Sequence, residues 1–294
     1  MVQWIMTRML PTGLVALLLC LLTGCQHRLS TIAAVSPASP DAPALTITGD
    51  PESSAGATWT LIGTLEGTRV DLQGILLKPR RRGIFFFLKP RDRGPFPGVV
   101  LSHGAGSSAQ SYGRELGAVM RKWGIVCIAT NYTHARGAPI GTPGTLIEQG
   151  ASTANAFRAH AAVTVLARLG YVDLRRVAAH GHSMGAFVTT AFVAAYPGDM
   201  RVASHTAGGV LDGIHLDGVP IPSAAQGRRI QTPYQWHHGL RDFAVPFLLD
   251  ERFDSVLTSP HEGHLYRRLG HGEVAEDPEV LQRIRTWYGA HGMF

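Results

Sequence analysis

The chain has 294 residues, a net charge of +6 and 45% hydrophobic residues, enough for one large or two small folded domains. Its positive charge is diffuse and comes without zinc-finger spacing or an RNA-binding aromatic motif, so we expect no nucleic-acid partner. Three cysteines, at positions 20, 25 and 127, argue against a secreted fold built on disulfides.

The N-terminus has the layout of an export signal. Arg8 precedes a short apolar run, Leu14 to Leu22, which is too short to span a membrane comfortably. The run ends in Leu22-Thr23-Gly24-Cys25, which resembles the lipobox of bacterial lipoproteins. The resemblance implies cleavage before Cys25 and a lipid on its thiol, which would hold the protein at a membrane of the bacterial cell envelope, facing the periplasm or in the outer membrane. An ordinary secretory signal with an unmodified cysteine is the alternative.

After the signal, the sequence predicts a tether and one large folded domain. Residues 1–24 are the predicted signal peptide, and residues 25–57, rich in Ser, Ala, Pro and Thr, predict a flexible tether. Residues 58–294 are the predicted domain. Within it, Leu77-Lys-Pro-Arg-Arg-Arg-Gly83 is nearly repeated at 88–94, which indicates a short tandem duplication that adds an edge strand. A basic patch that docks on anionic lipid is the competing interpretation.

From residue 58 onward, apolar segments alternate between strand and helix patterns. The predicted strands are 58–64, 69–77, 84–89, 98–102, 125–130, 175–180, 201–205, 234–238 and 263–268. The predicted helices are 109–123, 147–169, 184–196, 246–257 and 277–289. This alternation favours an α/β fold with a doubly wound, mostly parallel sheet flanked by helices. Residues 207–232 lack periodicity and predict a small cap or a long loop, which together with residues 132–150 would shape the substrate pocket.

Gly181-His182-Ser183-Met184-Gly185 carries the chemistry. The motif follows an apolar strand and precedes a helix pattern, which is the context of a nucleophile elbow. A serine on such a turn projects above the sheet at the positive end of the helix dipole. Ser183 is therefore the predicted nucleophile.

A serine nucleophile needs an acid and then a histidine further along the chain. Asp242, which follows an apolar-aromatic strand, is the predicted acid, and Asp212 and Asp217 are weaker candidates. The alternative role for Asp242 is the N-cap of the predicted helix 246–257. His271, between glycines after the last predicted strand, is the predicted base and is preferred to His264. We expect His182 to pack beside the elbow and most other histidines to lie at the surface.

The oxyanion of an acyl-transfer reaction needs backbone N–H donors. The amide of Met184 is one candidate. The other should come from the loop His103-Gly104-Ala105-Gly106, where Ala105 is preferred and Gly106 is next.

Together, Pro95–Gly104, Val172-Asp173, His238-Gly239-x-x-Asp242 and Gly270-His271-Gly272 resemble the dienelactone-hydrolase-like branch of the α/β-hydrolases. The resemblance covers roughly residues 58–290. It implies a serine esterase that acts on small-molecule or polymeric esters or lactones, with no cofactor and no metal. The chain departs from true dienelactone hydrolases, because Ser183 stands where they use cysteine. A peptidase or amidase with the same triad, and a non-catalytic lipid-anchored binding protein, are the alternatives.

Overall fold

A computed structural model describes residues 42–80, 94–136, 146–213 and 215–294. The predicted signal peptide, Cys25 and the predicted strand 84–89 lie outside these residues. Ala42 to Phe294 form one compact unit.

A nine-stranded sheet in the order β1-β2-β3-β5-β4-β6-β7-β10-β11 forms the centre of the unit. Its strands are β1 (Ala44–Thr48), β2 (Ala57–Leu65), β3 (Thr68–Leu77), β4 (Phe96–Ser102), β5 (Val126–Thr130), β6 (Val172–His182), β7 (Val202–Thr206), β10 (Tyr234–Gly239) and β11 (His261–Tyr266). The pairs β1–β2, β2–β3 and β3–β5 are antiparallel. The pairs β5–β4, β4–β6, β6–β7, β7–β10 and β10–β11 are parallel. The predicted fold class, a mostly parallel α/β sheet, is confirmed.

Seven α-helices are present in the described part of the chain. They are α1 (Ala109–Met120), α2 (Thr153–Arg168), α3 (Met184–Ala195), α4 (Ala224–Arg229), α5 (Leu248–Val256), α6 (Glu273–Glu276) and α7 (Pro278–Ala290). Side-chain caps set several of their starts. Ser108 caps α1 in a capping box with Ser111, and Ser152 caps α2. The predicted helix 147–169 therefore starts late, at Thr153, because the preceding residues form a separate 3-10 turn and the cap.

Apolar side chains fill both faces of the sheet. One core cluster joins the sheet to α2 and α3 through residues such as Val165 and Phe192, and a second joins it to α1 and α7 through Leu116 and Ile284. Central strands such as β5 are buried along their whole length, which explains their unbroken apolar sequence. The sheet is thus covered on both faces by helices.

One predicted boundary, between the tether and the domain, differs from the structure, and the region 207–232 has elements that the sequence did not predict. Residues 42–57 were assigned to the tether, but they include β1, which pairs with β2 from Ala44↔Ile62 to Thr48↔Thr58. Strand β1 lies at the sheet edge with most of its residues exposed, so its sequence lacks the apolar run that marks the central strands. In the region 207–232 the described residues form a two-stranded ribbon, β8 (His215–Leu216) with β9 (Val219–Pro220), followed by α4.

None of the helices in the described ranges is both long and apolar enough to cross a membrane.

Candidate active site

Ser183 lies on a strained turn between β6 and α3. Its backbone angles, φ 58° and ψ −125°, fall in a region that residues with a side chain rarely adopt. The flanking glycines make the turn possible. A Cβ on Gly185 would collide with the carbonyl of Ser102, and one on Gly181 would collide with the carbonyl of Gly185. The predicted elbow geometry is therefore present, and it presents the Ser183 hydroxyl at the ends of the strands.

Ser183, His271 and Asp242 form one hydrogen-bonded chain. The Nε2 atom of His271 is 2.9 Å from the Ser183 Oγ, and its Nδ1 is 2.7 Å from the Asp242 Oδ2. The Asp242 side chain is fully buried and that of His271 is 27% exposed. The structure thus brings together three residues that lie in separate loops after β6, β10 and β11. A neutral imidazole in this position accepts the serine proton while the carboxylate fixes its ring.

The loop of Asp242 is held against the loop of His271. The Arg241 amide donates to the Leu269 carbonyl at 3.0 Å. Gly239 permits this approach, because a Cβ there would collide with that same carbonyl. The Asp242 Oδ1 accepts the amides of Ala244 and Val245 at 2.9 and 2.8 Å. The backbone therefore fixes one carboxylate oxygen and leaves the other for His271.

The charges of Asp242 and His182, which lie beside His271, are compatible with His271 acting as a base. Burial opposes charge on Asp242, but hydrogen bonds from His238, His271 and Val245 hold the pKa of its carboxyl well below the usual range. For His182, removal from water and the nearby His271 lower the pKa to about 3, although Asp242 raises it. Asp242 is therefore ionised and His182 neutral near pH 7.

The weaker candidates lie elsewhere. His264 is in β11 and contacts Gln235, Glu262 and Arg283. Asp212 accepts the amide of Ala224, and Asp217 is in the turn between β8 and β9.

The loop after β4 passes directly beside the nucleophile. A Cβ built on Gly104 would be 3.2 Å from the Ser183 Cβ and 3.7 Å from its Oγ. Ala105 lines the same cavity as Ser183. Met184 is the first residue of α3, so its amide has no acceptor within the helix. Both residues predicted to supply the oxyanion donors therefore belong to segments that adjoin Ser183.

The imidazole of His103 fixes the peptide group that holds the Ala105 amide. The Tyr132 amide donates to His103 Nε2 at 3.3 Å, so the ring proton is on Nδ1, which donates to the Gly104 carbonyl at 3.0 Å. In a trans peptide the following amide points the opposite way, so the Ala105 N–H is directed away from this ring. Burial lowers the pKa of His103 to about 4, although the bond to Gly104 opposes this. The ring stays neutral near pH 7.

A cavity of about 510 Å³ opens at Ser183. The described residues that line it come from the loop after β4, from α1, from the elbow and from the segment around α6 and α7. They are Gly104, Ala105, Ser107, Tyr112, Glu115, Leu116, Val119, His182, Ser183, His271, Gly272, Ala275, Glu276 and Leu281. The described residues of the predicted pocket segments 132–150 and 207–232 are not among these lining residues.

Of the eleven histidines other than His182 and His271 that the structure describes, six are buried, so the prediction that most of them lie at the surface is wrong. Within the described ranges the fully or nearly fully buried ones are His103, His134, His180, His205, His237 and His238. Several of them stand at the ends of β4, β6, β7 and β10, the same edge that carries Ser183. The sequence signal for their burial is their position at the ends of apolar strand patterns.

This sheet, with its strand-to-helix elbow, is the α/β-hydrolase fold. No protein-family model matches the chain, and no curated protein is significantly similar to it in sequence. Solved structures share the fold at low identity.

A puromycin-hydrolyzing peptidase from Mycobacterium tuberculosis is 18% identical with a TM-score of 0.64, over 85% of this chain and 47% of that one. An acetyl xylan esterase from a Paenibacillus species is 14% identical with a TM-score of 0.61, over 84% and 89%. A protein from Klebsiella pneumoniae assigned as a dienelactone hydrolase is 16% identical with a TM-score of 0.58, over 84% and 99%. The chain spans about half of the peptidase and nearly all of the other two.

Proposed function

We propose that this protein is a serine hydrolase that cleaves carboxylic esters through an acyl-enzyme on Ser183. The observation that carries the proposal is the continuous hydrogen-bonded chain from the Ser183 hydroxyl through His271 to Asp242. A strained backbone at Ser183 and a cavity that opens at its hydroxyl support it further.

In the proposed reaction, Ser183 Oγ attacks the substrate carbonyl while His271 Nε2 takes the hydroxyl proton. The protonated His271 then gives that proton to the departing alcohol, which leaves the acyl group on Ser183. Water then attacks the acyl carbon while His271 Nε2 takes its proton, and transfer of that proton to Ser183 Oγ as the ester bond breaks releases the acid and restores the serine. Asp242 stabilises the imidazolium in both halves of the cycle. The amides of Met184 and Ala105 are the proposed donors to the oxyanion.

His103 is expected to contribute through the orientation of the Ala105 amide. His103→Phe removes the donor to the Gly104 carbonyl at similar volume, and we expect kcat to fall by roughly 10²-fold with KM little changed. His103→Asn retains an N–H near the Nδ1 position and should lose less. Steady-state turnover of a nitrophenyl ester measures both variants. Equal kcat in the wild type and a folded His103→Phe variant would show that His103 does not orient an oxyanion donor.

Peptide or amide cleavage is a second reaction that the side chains of the cavity support. The cavity contains two exposed acidic side chains, Glu115 and Glu276, in a chain with net charge +6. Carboxylates at that position suit the ammonium group of an aminoacyl substrate, and a structure of similar fold is a peptidase. A peptidase or amidase with the same triad is therefore the second candidate function.

A substrate panel separates the two candidates. We expect turnover of nitrophenyl esters from acetate to octanoate, and little turnover of aminoacyl nitroanilides. A fluorophosphonate probe should label the peptide that contains Ser183, as detected by mass spectrometry. Faster turnover of the anilides would favour the peptidase, and absence of both turnover and labelling would reject a serine hydrolase.

We also propose that the protein is a lipoprotein of the bacterial cell envelope, anchored by a lipid on Cys25. The lipobox-like sequence at 22–25 supports this. Fractionation of cells that express the full chain tests it, since recovery of the protein in the soluble periplasmic fraction alone would exclude the anchor.

A further inference from the structure

Buried polar side chains continue the chain of contacts beyond Asp242. His238, at the end of β10, places Nδ1 2.6 Å from the Asp250 Oδ2 and Nε2 2.9 Å from the Val245 carbonyl. The same Nε2 is 3.3 Å from the Asp242 Oδ2 that accepts His271. The side chains of His238, Asp242 and Asp250 are fully buried. Asp242 is thus shared between two imidazoles, one on the cavity side and one in the interior.

The partners of His238 define its charge. A neutral imidazole has one N–H and one lone pair, so it needs a donor as well as an acceptor. Both ring nitrogens of His238 face oxygens that only accept when the carboxyl groups are ionised: Asp250 on one side, and Val245 with Asp242 on the other. Both nitrogens must therefore carry protons, and the ring is an imidazolium.

Asp250 supplies the counter-charge. It lies in the first turn of α5, where the helix dipole favours an anion. It accepts His205 Nε2 at 2.6 Å and the Gly208 amide at 3.2 Å in addition to His238. His205 can remain neutral, because its Nδ1 is 3.0 Å from the Tyr234 hydroxyl, which is able to donate.

The ionisation behaviour agrees with this assignment. Although burial disfavours its charge, hydrogen bonds to Asp242 and Asp250 raise the pKa of His238 to about 10. Burial likewise disfavours charge on Asp250, but His205 and His238 lower its pKa to about 2.

We propose that His238 is a positioning residue, an imidazolium held by Asp250 that fixes the ionised carboxylate of Asp242 toward His271. The inference rests on the proposed function, in which His271 is the base. With His271 neutral, the carboxylates of Asp242 and Asp250 and the imidazolium of His238 sum to one negative charge. His182, whose ring centroid is 4.8 Å from that of His271, is neutral near pH 7 and adds none. The ion pair therefore stabilises buried Asp242, and these buried groups together act on His271 with the net charge of a single carboxylate.

On the open side, Glu115 and Glu276 line the same cavity as His271, and Glu273 accepts the amide of Gly270 next to it. These three carboxylates are unchanged in the variants below.

The charge of His238 is measurable without any substrate. Burial disfavours charge on His160, but its ring nitrogens contact Asp199 and Glu66, which raise its pKa, so we expect a doubly protonated signal from His160 in every variant. In the full chain with ¹⁵N-labelled histidine, we expect a further ring, that of His238, whose two nitrogens both remain protonated at about pH 8, where ordinary histidines are neutral. The signal should disappear in His238→Gln, which assigns it. In Asp250→Asn the same ring should lose its second proton by about pH 8, because its counter-charge is gone.

The kinetic consequence is a shift in pH dependence. His238→Gln keeps an N–H donor but removes the positive charge beside Asp242, so protonated His271 becomes more stable. We expect the acid limb of kcat/KM to move up by about one pH unit and kcat to fall about tenfold, with KM within about twofold. His237→Gln is the matched control. His237 is equally buried in β10, but its ring contacts Gln235 and Tyr266, so its acid limb should match the wild type.

Each outcome decides the matter. A His238 ring that is neutral at about pH 8 in the wild type, or an unshifted acid limb in folded His238→Gln, would overturn the inference. If His238→Gln does not fold, the spectra of the wild type and of Asp250→Asn still test the charge. Failure of the proposed function is a separate result, since it appears as a wild-type chain that neither hydrolyses esters nor reacts with fluorophosphonate.

Discussion

Ser183→Ala is expected to reduce kcat for a nitrophenyl ester by roughly a factor of a million, to the level set by binding and the oxyanion donors. The Oγ atom is the only part removed, and its hydrogen bond is to His271. Alanine has the same backbone preferences as serine, so the substitution adds no strain at position 183 and the fold should be retained. Stopped assays with and without enzyme, at substrate above KM, provide the measurement.

A matched serine and a double variant sharpen this test. Ser107 also lines the cavity, and its hydroxyl contacts that of Ser111 rather than a histidine, so Ser107→Ala should keep most of the activity. Adding His271→Ala to Ser183→Ala should cost little more, since residues that act in one proton transfer are not additive. Turnover that persists in Ser183→Ala would show that the hydrolysis arises at another site.

Asp242→Asn is the second large effect, with an expected loss of roughly 10⁴-fold in kcat. The amides of Ala244 and Val245 require an oxygen at the Oδ1 position, so the new NH₂ group must take the place of Oδ2. There it would donate to His271 Nδ1, which forces the ring proton onto Nε2. That nitrogen would then face Ser183 as a donor and could not accept its proton.

This loss should appear without unfolding, because asparagine keeps the size of the side chain and its bonds to the loop. Thermal melting of the variant checks the fold, and the pH profile checks the mechanism, since activity should recover partly at high pH as Ser183 ionises more easily. Asp217→Asn, in the turn between β8 and β9, serves as the control with unchanged kcat. An active Asp242→Asn enzyme would mean that another group orients His271.

The central elements were predictable because their sequence signals are local. A parallel strand buried on both faces needs an unbroken apolar run, and β4 and β5 have one. The elbow needs small residues on both sides of Ser183 because backbone carbonyls lie where their side chains would be. Strand β1 escaped prediction since it lies exposed at a sheet edge, where composition is weakly constrained. The cavity walls escaped it as well, because which helix covers the site depends on packing.

The buried histidines also make contacts that the local sequence does not predict. The spacing around His238 carries a signal for Asp242, four residues later, but none for Asp250 as its ionic partner. His205 and His238 lie on the neighbouring parallel strands β7 and β10, and both contact Asp250 of α5. No local pattern encodes that pairing, so surface exposure was the default expectation for these polar side chains.

By itself, the sequence determined the parallel sheet, the strained turn at Ser183 and three candidate residues in the order that such a turn requires, because each depends on the few residues around it. Only the tertiary structure shows that His271 Nε2 lies 2.9 Å from Ser183 Oγ, which residues line the cavity, and that His238 and Asp250 are buried behind Asp242. Those facts depend on the order of strands in the sheet and on the exclusion of water between loops distant in sequence. Such contacts arise only once the strands have assembled.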